Sequence, residues 1–432
     1  MRATHFLRLF VLMMTVILLS KSALPCSMYK VTANDKTMVG NNEDSWRQDA
    51  RIWFEPATSD KYGVACVGYA GKRHADGMMN EYGLVFDAFS MPHKSNFPER
   101  DPSKTDFAYA HLKTVMQQCK TVDEVFSLLN EMNLHVLNGS ILFNGGMLLF
   151  VDKTGKYLVV EAGAMTFGSD EKFVLANFSV ADTKDLSTVK TERYRKGVAF
   201  LSNKELDTGL SFCTALSDTM SVSRAKVGDG TLYTTIYDLE EGLIHLYFFH
   251  DFSRSITFNL KEELAKGEHY FEMEELFPGN SNYLRFIDYK TPQNSKFLFW
   301  FIVAAGFLFL FTFLYFSISL LRKPLSNFKL FKLGIAGLSF AFAVYALVLL
   351  RKEGVFYFPS PYKDGHSILN TVAAYLPILL LVLTIPLVYT TFKIVSRKGW
   401  KGFSLWLLVT NNVVYLVLLY LFAYWELLGF FG

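Results

Sequence analysis

The sequence predicts an α+β domain followed by a membrane region of four helices, and three observations support this prediction. The 432-residue chain is 51% hydrophobic and only 19% charged, which is too apolar for a single soluble globule. Four long apolar stretches are gathered at the carboxyl end. Ahead of them, strand-like, helix-like and again strand-like segments follow one another, a pattern typical of helices packed on β-sheets in layers.

The composition excludes several classes of protein. Aromatic residues make up 16% of the chain and there are 12 prolines, so the chain is neither disordered nor collagen-like. With 43 basic and 40 acidic residues, the net charge of +3 is too small to indicate a nucleic-acid partner. The four cysteines are too scattered for a disulfide scaffold or a C-x-x-C metal site and allow at most one disulfide bond.

Residues 1–25 are typical of a signal peptide. The basic residues Arg2 and Arg8 lead into an apolar run from Leu9 to Leu19, and small or polar residues follow. Eleven helical residues rise only about 16 Å, whereas the hydrocarbon core of a bilayer is roughly 30 Å thick. The segment therefore favours export and cleavage over anchoring.

Residues 26–295 are predicted to form one exported domain of ordinary size. Thr121 and Glu124 predict a capping box, and Glu240–Gly242 predicts a hairpin turn. The predicted helices are Thr105–Gln118, Val122–Met132 and Thr191–Leu201. The predicted strands are Ser27–Thr32, Ile52–Glu55, Tyr62–Tyr69, Gly83–Phe89, Ser140–Val151, Tyr157–Glu161, Thr231–Leu239 and Leu243–His250.

Residues 296–432 are predicted to be the membrane region, with helices at 297–321, 333–350, 368–392 and 403–431. The loops after the first and third helices carry basic residues and no acid. Because positive loops stay in the cytoplasm, the protein is predicted to be a multi-pass protein of the cytoplasmic membrane with its first domain outside. The polar residues Asn411 and Asn412 are interpreted as interhelical hydrogen-bonding groups, and Pro377 and Pro386 as kinks, so the region is predicted to be an anchor.

Known cofactor and catalytic motifs are missing from the exported domain. It has no G-x-G-x-x-G, P-loop, H-E-x-x-H or G-x-S-x-G sequence, and its histidines have no spacing typical of a triad. We therefore expect neither a metal nor an organic cofactor.

Cys26 stands where the signal ends, so processing would make it the first residue of the mature chain. A terminal cysteine carries its own base, because an α-amino group has a reference pKa of about 7.7 to 8.0 against about 8.5 for the thiol. The pair supplies an activated nucleophile without a histidine. Two alternatives stay open: a lipidated cysteine, or an ordinary residue near a ragged start.

Several blocks in order resemble the N-terminal-nucleophile (Ntn) hydrolases of the choloylglycine hydrolase, penicillin V acylase and penicillin acyltransferase type. In that superfamily a terminal cysteine is followed by an aspartate in a Gly-x-Asn-x-Asp turn, and here Asp44 lies 18 residues after Cys26. The resemblance covers roughly residues 26–260. Its blocks are Cys26–Tyr29, Gly40–Asp44, Asp76–Leu84, Val174–Asn177, Ser223–Arg224 and Thr231–Leu239.

The resemblance implies a four-layer αββα sandwich that hydrolyses linear amides. Cys26 would attack the amide carbonyl, Asp44 would align the amine or thiol, Asn177 would donate to the developing oxyanion, and Arg224 would support the site by its charge. Alternatives remain for three of these residues: a turn cap for Asp44, a glycosylation sequon or surface position for Asn177, and an ordinary surface arginine for Arg224.

This chain departs from the resemblance at two positions. Asn41 stands where choloylglycine hydrolases carry arginine, which brings the chain closer to the acyltransferase branch. Pro25 is an unfavourable residue before a signal-peptidase cut, so cleavage after Ala23 and self-removal of the remaining dipeptide are expected. We expect Asn41, Trp46 and Phe89 to contact substrate, the two aromatic residues by lining an acyl pocket.

The sequence thus predicts an exported, membrane-anchored amidase that acts on a small amphipathic N-acyl amide. Acyl transfer through the same acyl-enzyme is one alternative. The others are a non-catalytic membrane-bound binding or sensor protein and a carrier whose four helices do the work. The sequence leaves the oligomeric state open.

Overall fold

The structure, a computed structural model, describes residues 26–71, 74–91, 99–139, 145–223, 230–322, 328–358, 360–361, 368–397 and 399–429. The predicted signal peptide, residues 1–25, lies outside the described residues. The chain divides into two compact units, one comprising Ala23–Ile287 and the other including Asp288–Gly432.

The first unit contains a six-stranded sheet in which all neighbouring strands are antiparallel. In spatial order the strands are β12 Lys172–Ala176, β1 Ser27–Ala33, β2 Lys36–Ser45, β13 Gly230–Asp238, β14 Leu243–Phe248 and β15 Asp251–Asn259. β1 and β2 form a hairpin, and β13 pairs with the other edge of β2, so β2 lies in the middle of the sheet.

A second, eight-stranded sheet is also antiparallel throughout. This sheet consists, in spatial order, of β11 Ala164–Gly168, β10 Tyr157–Glu161, β9 Gly145–Val151, β6 Val85–Met91, β5 Gly77–Asn80, β4 Val64–Tyr69, β3 Ala50–Glu55 and β16 His269–Glu272. Two further short strands, β7 Thr105–Asp106 and β8 Met132–Asn133, pair in parallel with each other.

Helices cover the outer face of each sheet. The first two helices bury apolar residues against the eight-stranded sheet, and the next two bury theirs against the six-stranded sheet. Short helices close the unit. The helices are α1 His111–Gln118, α2 Val122–Asn130, α3 Glu192–Asn203, α4 Leu210–Met220, α5 Leu260–Ala265, α6 Met273–Leu276 and α7 Ser281–Asp288, with 3-10 turns at His135–Asn138 and Leu186–Thr188.

The inner faces of the two sheets pack on each other. The rings of Phe54 and Phe258 lie 5.5 Å apart between centroids, and those of Tyr69 and Tyr233 lie 6.5 Å apart. Helices, sheet, sheet and helices therefore make four layers, which confirms the predicted αββα sandwich.

Local signals in the sequence also appear in the structure. Thr121 caps α2 by accepting from the backbone N–H of Glu124 at 3.3 Å, while the Glu124 carboxylate accepts from the N–H of Lys120 at 2.6 Å. The turn between β13 and β14 is closed by Gly242, whose φ of +65° favours glycine. These short-range predictions hold because the interactions that cause them are themselves short-range.

Two predicted elements are wrong. The helix predicted over Thr105–Gln118 begins only at His111, because Thr105–Asp106 pair with β8 as a strand. Gly40–Asp44, expected as a turn, lies within β2, which pairs on one side with β1 and on the other with β13. Polar residues have little intrinsic preference for strands, and here pairing on both sides overrides that preference.

Within the described residues, the second unit contains four helices long and apolar enough to cross a membrane: Lys296–Leu321, Lys329–Arg351, Asn370–Ser396 and Phe403–Tyr424. This confirms the four predicted apolar helices. As expected, Asn411 Nδ2 donates to Thr312 Oγ1 and Asn412 Nδ2 to Thr391 Oγ1, both at 2.7 Å. The helices of this unit are α8 Lys296–Arg322, α9 Lys329–Arg351, α10 Gly354–Tyr357, α11 Ile368–Ala373, α12 Leu376–Ser396 and α13 Phe403–Tyr424.

Candidate active site

Cys26 lies immediately before β1 and is held at three atoms. Its backbone N–H donates to Asn177 Oδ1 at 3.0 Å, and its Sγ donates to Glu43 Oε2 at 3.0 Å. Its carbonyl oxygen accepts from Arg193 Nε at 3.1 Å. The residue is only 3% exposed, so its reactive groups are fixed inside the first unit.

Strand register explains why Asn177 reaches Cys26. β1 pairs antiparallel with β12, and Ser27 lies opposite Ala176. Cys26 precedes one strand and Asn177 follows the other, so the two meet at the same end of the sheet. Cys26 and Asn177 belong to two of the sequence blocks that resemble the Ntn hydrolases, and the structure brings them into direct contact.

Glu43 is a site residue that the sequence analysis missed. Ser27 pairs with Asn42, so Glu43 is the cross-strand neighbour of Cys26 on the face turned toward the second sheet. Its other oxygen, Oε1, accepts from Tyr69 Oη at 3.1 Å. The signal that identifies it is the period-two alternation of a strand, which a turn at Gly40–Asp44 would not have.

Asp44 points to the opposite face of β2. Its Oδ1 accepts from Thr231 Oγ1 at 2.6 Å, and Thr231 Oγ1 in turn accepts from the backbone N–H of Val222 at 2.9 Å. The turn-cap alternative for Asp44 is wrong, because Asp44 is part of a strand. Its role in aligning the amine or thiol stays a prediction.

The Asn177 side chain is bound at both ends. Its Oδ1 accepts from Cys26 and from Arg193 Nη2 at 2.5 Å, while its Nδ2 donates to the carbonyl oxygen of Ser90 at 2.8 Å. To donate to an oxyanion, the Asn177 amide has to release or share the bond to Ser90. The arrangement fixes the Asn177 side chain next to Cys26.

Arg193 is the second residue that the sequence analysis missed. It lies in the first turn of α3, 167 residues from Cys26 along the chain, and only the packing of that helix on the sheet brings the two together. The arginine predicted for the site, Arg224, lies outside the described residues.

The three residues expected to contact substrate are all buried. Asn41 is fully buried on the face of β2 that carries Glu43, and neither polar atom of its side chain has a hydrogen-bond partner among the described residues. Trp46 follows β2, and Phe89 is on β6. Their contact with substrate stays a prediction.

A cavity of about 670 Å³ lies beside the site. Tyr69 both lines this cavity and donates to Glu43, which in turn accepts from the Cys26 thiol. Aromatic and charged residues share the lining, among them Arg51, Trp53, Glu55, Lys113 and Tyr270. Such a mixed wall suits an amphipathic molecule.

Electrostatics keep the Cys26 thiol protonated. Burial raises its pKa well above the ordinary range, and the charge and hydrogen bond of Glu43 raise it further, as do the charges of Asp44 and Asp87. All four cysteines of the chain are separate buried thiols. Among the described residues, no group of three or more His, Cys, Asp or Glu side chains is placed to hold a metal ion.

Residues 29–177 match the family model described as linear amide C-N hydrolases, choloylglycine hydrolase family. The match includes Asn41, Asp44, Trp46, Phe89 and Asn177. It confirms the resemblance predicted from the sequence over these residues and supports an amide hydrolase activity.

Solved structures similar to this chain include a conjugated bile acid hydrolase from Clostridium perfringens, with 18% identity and a TM-score of 0.46 over 58% of this chain and 98% of that one. Penicillin V acylase from Agrobacterium tumefaciens has 14% identity and a TM-score of 0.43 over 58% and 92%. A Caenorhabditis elegans ortholog of N-acylethanolamine-hydrolyzing acid amidase has 10% identity and a TM-score of 0.35 over 50% and 92%. No curated protein matches the chain.

Proposed function

We propose that this protein is a membrane-anchored hydrolase of linear amides whose nucleophile is Cys26, exposed as the first residue by processing. The observation that carries the proposal is the set of contacts at Cys26: separate groups hold its nitrogen, sulfur and carbonyl oxygen. A residue whose amine and thiol both have to react needs this kind of restraint.

In the proposed reaction, Sγ of Cys26 attacks the carbonyl carbon of an N-acyl amide. The free α-amine takes the thiol proton and passes it to the leaving nitrogen, so the amide C–N bond breaks and a thioester forms. Water then hydrolyses the thioester and restores the thiol. An amine in place of water would give acyl transfer through the same intermediate.

Each predicted site residue has a role in this scheme. Asn177 donates to the oxyanion after loosening its bond to Ser90, and one such donor contributes about 2.7 to 4 kcal/mol in a well-studied protease. Asp44 aligns the amine through its negative charge, which also acts on the Cys26 thiol, and Arg224 supports the nucleophile by its charge. Asn41, Trp46 and Phe89 contact the substrate.

The membrane region supports a proposal for the side of the membrane on which this reaction takes place. Basic loops after the first and third apolar helices favour an orientation in which the catalytic domain lies outside the cytoplasmic membrane. Tethering the domain to the bilayer favours a small amphipathic N-acyl amide that partitions to the membrane face. The mixed aromatic and charged wall of the cavity agrees with this class of substrate.

The test combines the mature N-terminus with turnover. We expect the purified chain to begin at Cys26 and to release amine from at least one member of a panel of N-acyl amides, while Cys26→Ala releases none. A chain that keeps residues before Cys26, or a Cys26→Ala variant with unchanged turnover, would remove the proposal. Adding a second amine as acceptor separates hydrolysis from acyl transfer.

A further inference from the structure

We propose that Glu43 is the base of the maturation step: it takes the thiol proton of Cys26 while Cys26 is still joined to Pro25. This inference rests on the proposed function, because maturation matters only if Cys26 has to become the first residue. It assigns to Glu43 a task that the α-amine cannot perform.

The precursor lacks the base that the mature enzyme uses. Before cleavage the nitrogen of Cys26 is a peptide N–H, which donates to Asn177 Oδ1 at 3.0 Å and has no basic lone pair. The α-amine becomes available only after the bond to Pro25 is broken. The first attack by the thiol therefore needs another proton acceptor.

Glu43 is placed to be this acceptor. In the part of the chain that the structure describes, the Cys26 thiol donates to Glu43 Oε2 at 3.0 Å, within the range for a general base. Glu43 is only 4% exposed, and Tyr69 Oη binds its other oxygen. Because β2 is paired on both sides, the carboxylate is held at a fixed position beside the sulfur.

The proposed step balances in atoms and protons. As Sγ attacks the carbonyl carbon of Pro25, the thiol proton moves to Glu43 Oε2. The tetrahedral intermediate collapses with cleavage of the C–N bond, and Glu43 returns the proton to the Cys26 nitrogen. The products are a free α-amine and a thioester between Pro25 and Sγ, which water hydrolyses to a Pro25 carboxylate and the free thiol.

The charges around the pair explain why a base in contact is needed. Among the described residues, Arg193 binds the Cys26 carbonyl oxygen and Arg47 lies 4.4 Å from the centre of the Tyr69 ring. The other titratable groups near Cys26 and Glu43 are Asp44, Asp76, Asp87, Tyr69 and Tyr233. Acidic groups are in excess and disfavour a preformed thiolate, so the proton has to leave as the attack occurs.

The experiment follows self-cleavage of the full chain in detergent by intact mass, with the fraction that begins at Cys26 measured over time. The variants are Glu43→Gln, Glu43→Asp and, as a matched control, Glu263→Gln. The control removes a buried carboxylate of α5 that is bound to Lys266 and His269. A second set carries a site-specific protease sequence inserted directly before Cys26, so that Cys26 can be exposed without self-cleavage.

We expect Glu43→Gln to slow self-cleavage by about 100-fold or more, the usual contribution of a general base. Glu263→Gln should cleave at the wild-type rate, and Glu43→Asp should lie between. Once the inserted protease site exposes Cys26, Glu43→Gln should release amine from the amide that wild type hydrolyses, because the α-amine is then the base.

The outcomes separate this inference from the proposed function. A folded Glu43→Gln variant that cleaves itself at the wild-type rate overturns the role of Glu43 and leaves the amidase intact. If wild type does not cleave itself but becomes active after external cleavage, the inference fails and the amidase stands. If wild type stays inactive even then, the proposed function fails. Should Glu43→Gln not fold, a folded Glu43→Asp variant that cleaves itself at the wild-type rate overturns the inference.

Discussion

Arg193 binds both Asn177 and Cys26 through two nitrogen atoms of its guanidinium group. Its Nη2 donates to Asn177 Oδ1 at 2.5 Å, and its Nε donates to the Cys26 carbonyl oxygen at 3.1 Å. The planar group thus sets the distance between Cys26 and the residue proposed to stabilise the oxyanion. This contact joins α3 to the end of the six-stranded sheet at which β1 begins and β12 ends.

Arg193→Ala should lower kcat/KM for amide hydrolysis by about 100-fold, because Asn177 and Cys26 lose their common anchor. Arg193→Lys should recover only part of this loss, since a single ammonium cannot donate in two fixed directions. Steady-state kinetics measure kcat/KM of both variants, and the thermal unfolding midpoint shows whether each variant is folded. Arg195→Ala, an exposed residue of the same helix, is the control and should match wild type.

Asp44→Asn should reduce turnover far more than it reduces thermal stability. The amide keeps the size of the side chain and can still accept from Thr231, while the negative charge proposed to align the amine is lost. Thr231→Val is the companion variant: it removes the hydroxyl bound to Asp44 and to the N–H of Val222 and should cost stability as well. Equal losses of turnover and stability in Asp44→Asn would mean that Asp44 acts only in the fold.

Lys30 should make the stability of the first unit rise with pH. It is fully buried on β1 and donates to the Asp170 carbonyl, and burial lowers its pKa to about 8, although the nearby acids Asp170, Glu171 and Asp152 act in the other direction. Between about pH 8 and 10.5 the unfolded chain holds this proton and the folded chain has released it, so unfolding becomes less favourable as pH rises.

Lys30→Met should remove this pH-dependent gain. Thermal unfolding at several pH values between about 7 and 10 checks it: wild type should gain stability relative to Lys30→Met as the pH rises. Lys184→Met, at an exposed position, should follow the wild-type profile. A constant difference between wild type and Lys30→Met across this range would contradict the prediction.

The bond between Asn411 and Thr312 should stabilise the membrane unit without affecting catalysis. Asn411 is fully buried on α13 and donates to Thr312 on α8 at 2.7 Å. A double-mutant cycle with Asn411→Ala and Thr312→Val, measured by denaturation in detergent, should give a coupling free energy of about 0.6 kcal/mol, and at most about 1.7 kcal/mol.

Amide turnover should be unchanged in both variants of this cycle. Val413→Ala, at a largely exposed position of the same helix, is the control and should leave stability nearly unaltered. A transport activity that survives Cys26→Ser but is lost in Asn411→Ala, with helix stability retained, would favour the carrier alternative over an anchor.

Short-range signals and composition made much of the architecture predictable. Apolar length alone predicted the four long helices, because crossing a bilayer demands about 20 apolar residues whatever the rest of the chain does. The Thr121 cap and the turn at Gly242 depend on atoms a few residues apart, so the sequence contains the whole interaction. The resemblance covered Asn177, which the structure places against Cys26.

Glu43 and Arg193 show where the sequence was insufficient. Glu43 faces Cys26 only because β2 is a strand in register with β1, and its polar residues give no local preference for that conformation. Arg193 reaches the site only because α3 packs on the same sheet, 167 residues away in sequence.

The sequence by itself determined the layer class, the apolar helices and the choice of Cys26 as the candidate nucleophile, since these depend on composition, periodicity and neighbouring residues. The tertiary structure alone decided which acid accepts the hydrogen bond of the Cys26 thiol and which cation joins Cys26 to Asn177. Strand register and helix docking fix those distances, and both arise from the packing of the whole unit rather than from any segment of it.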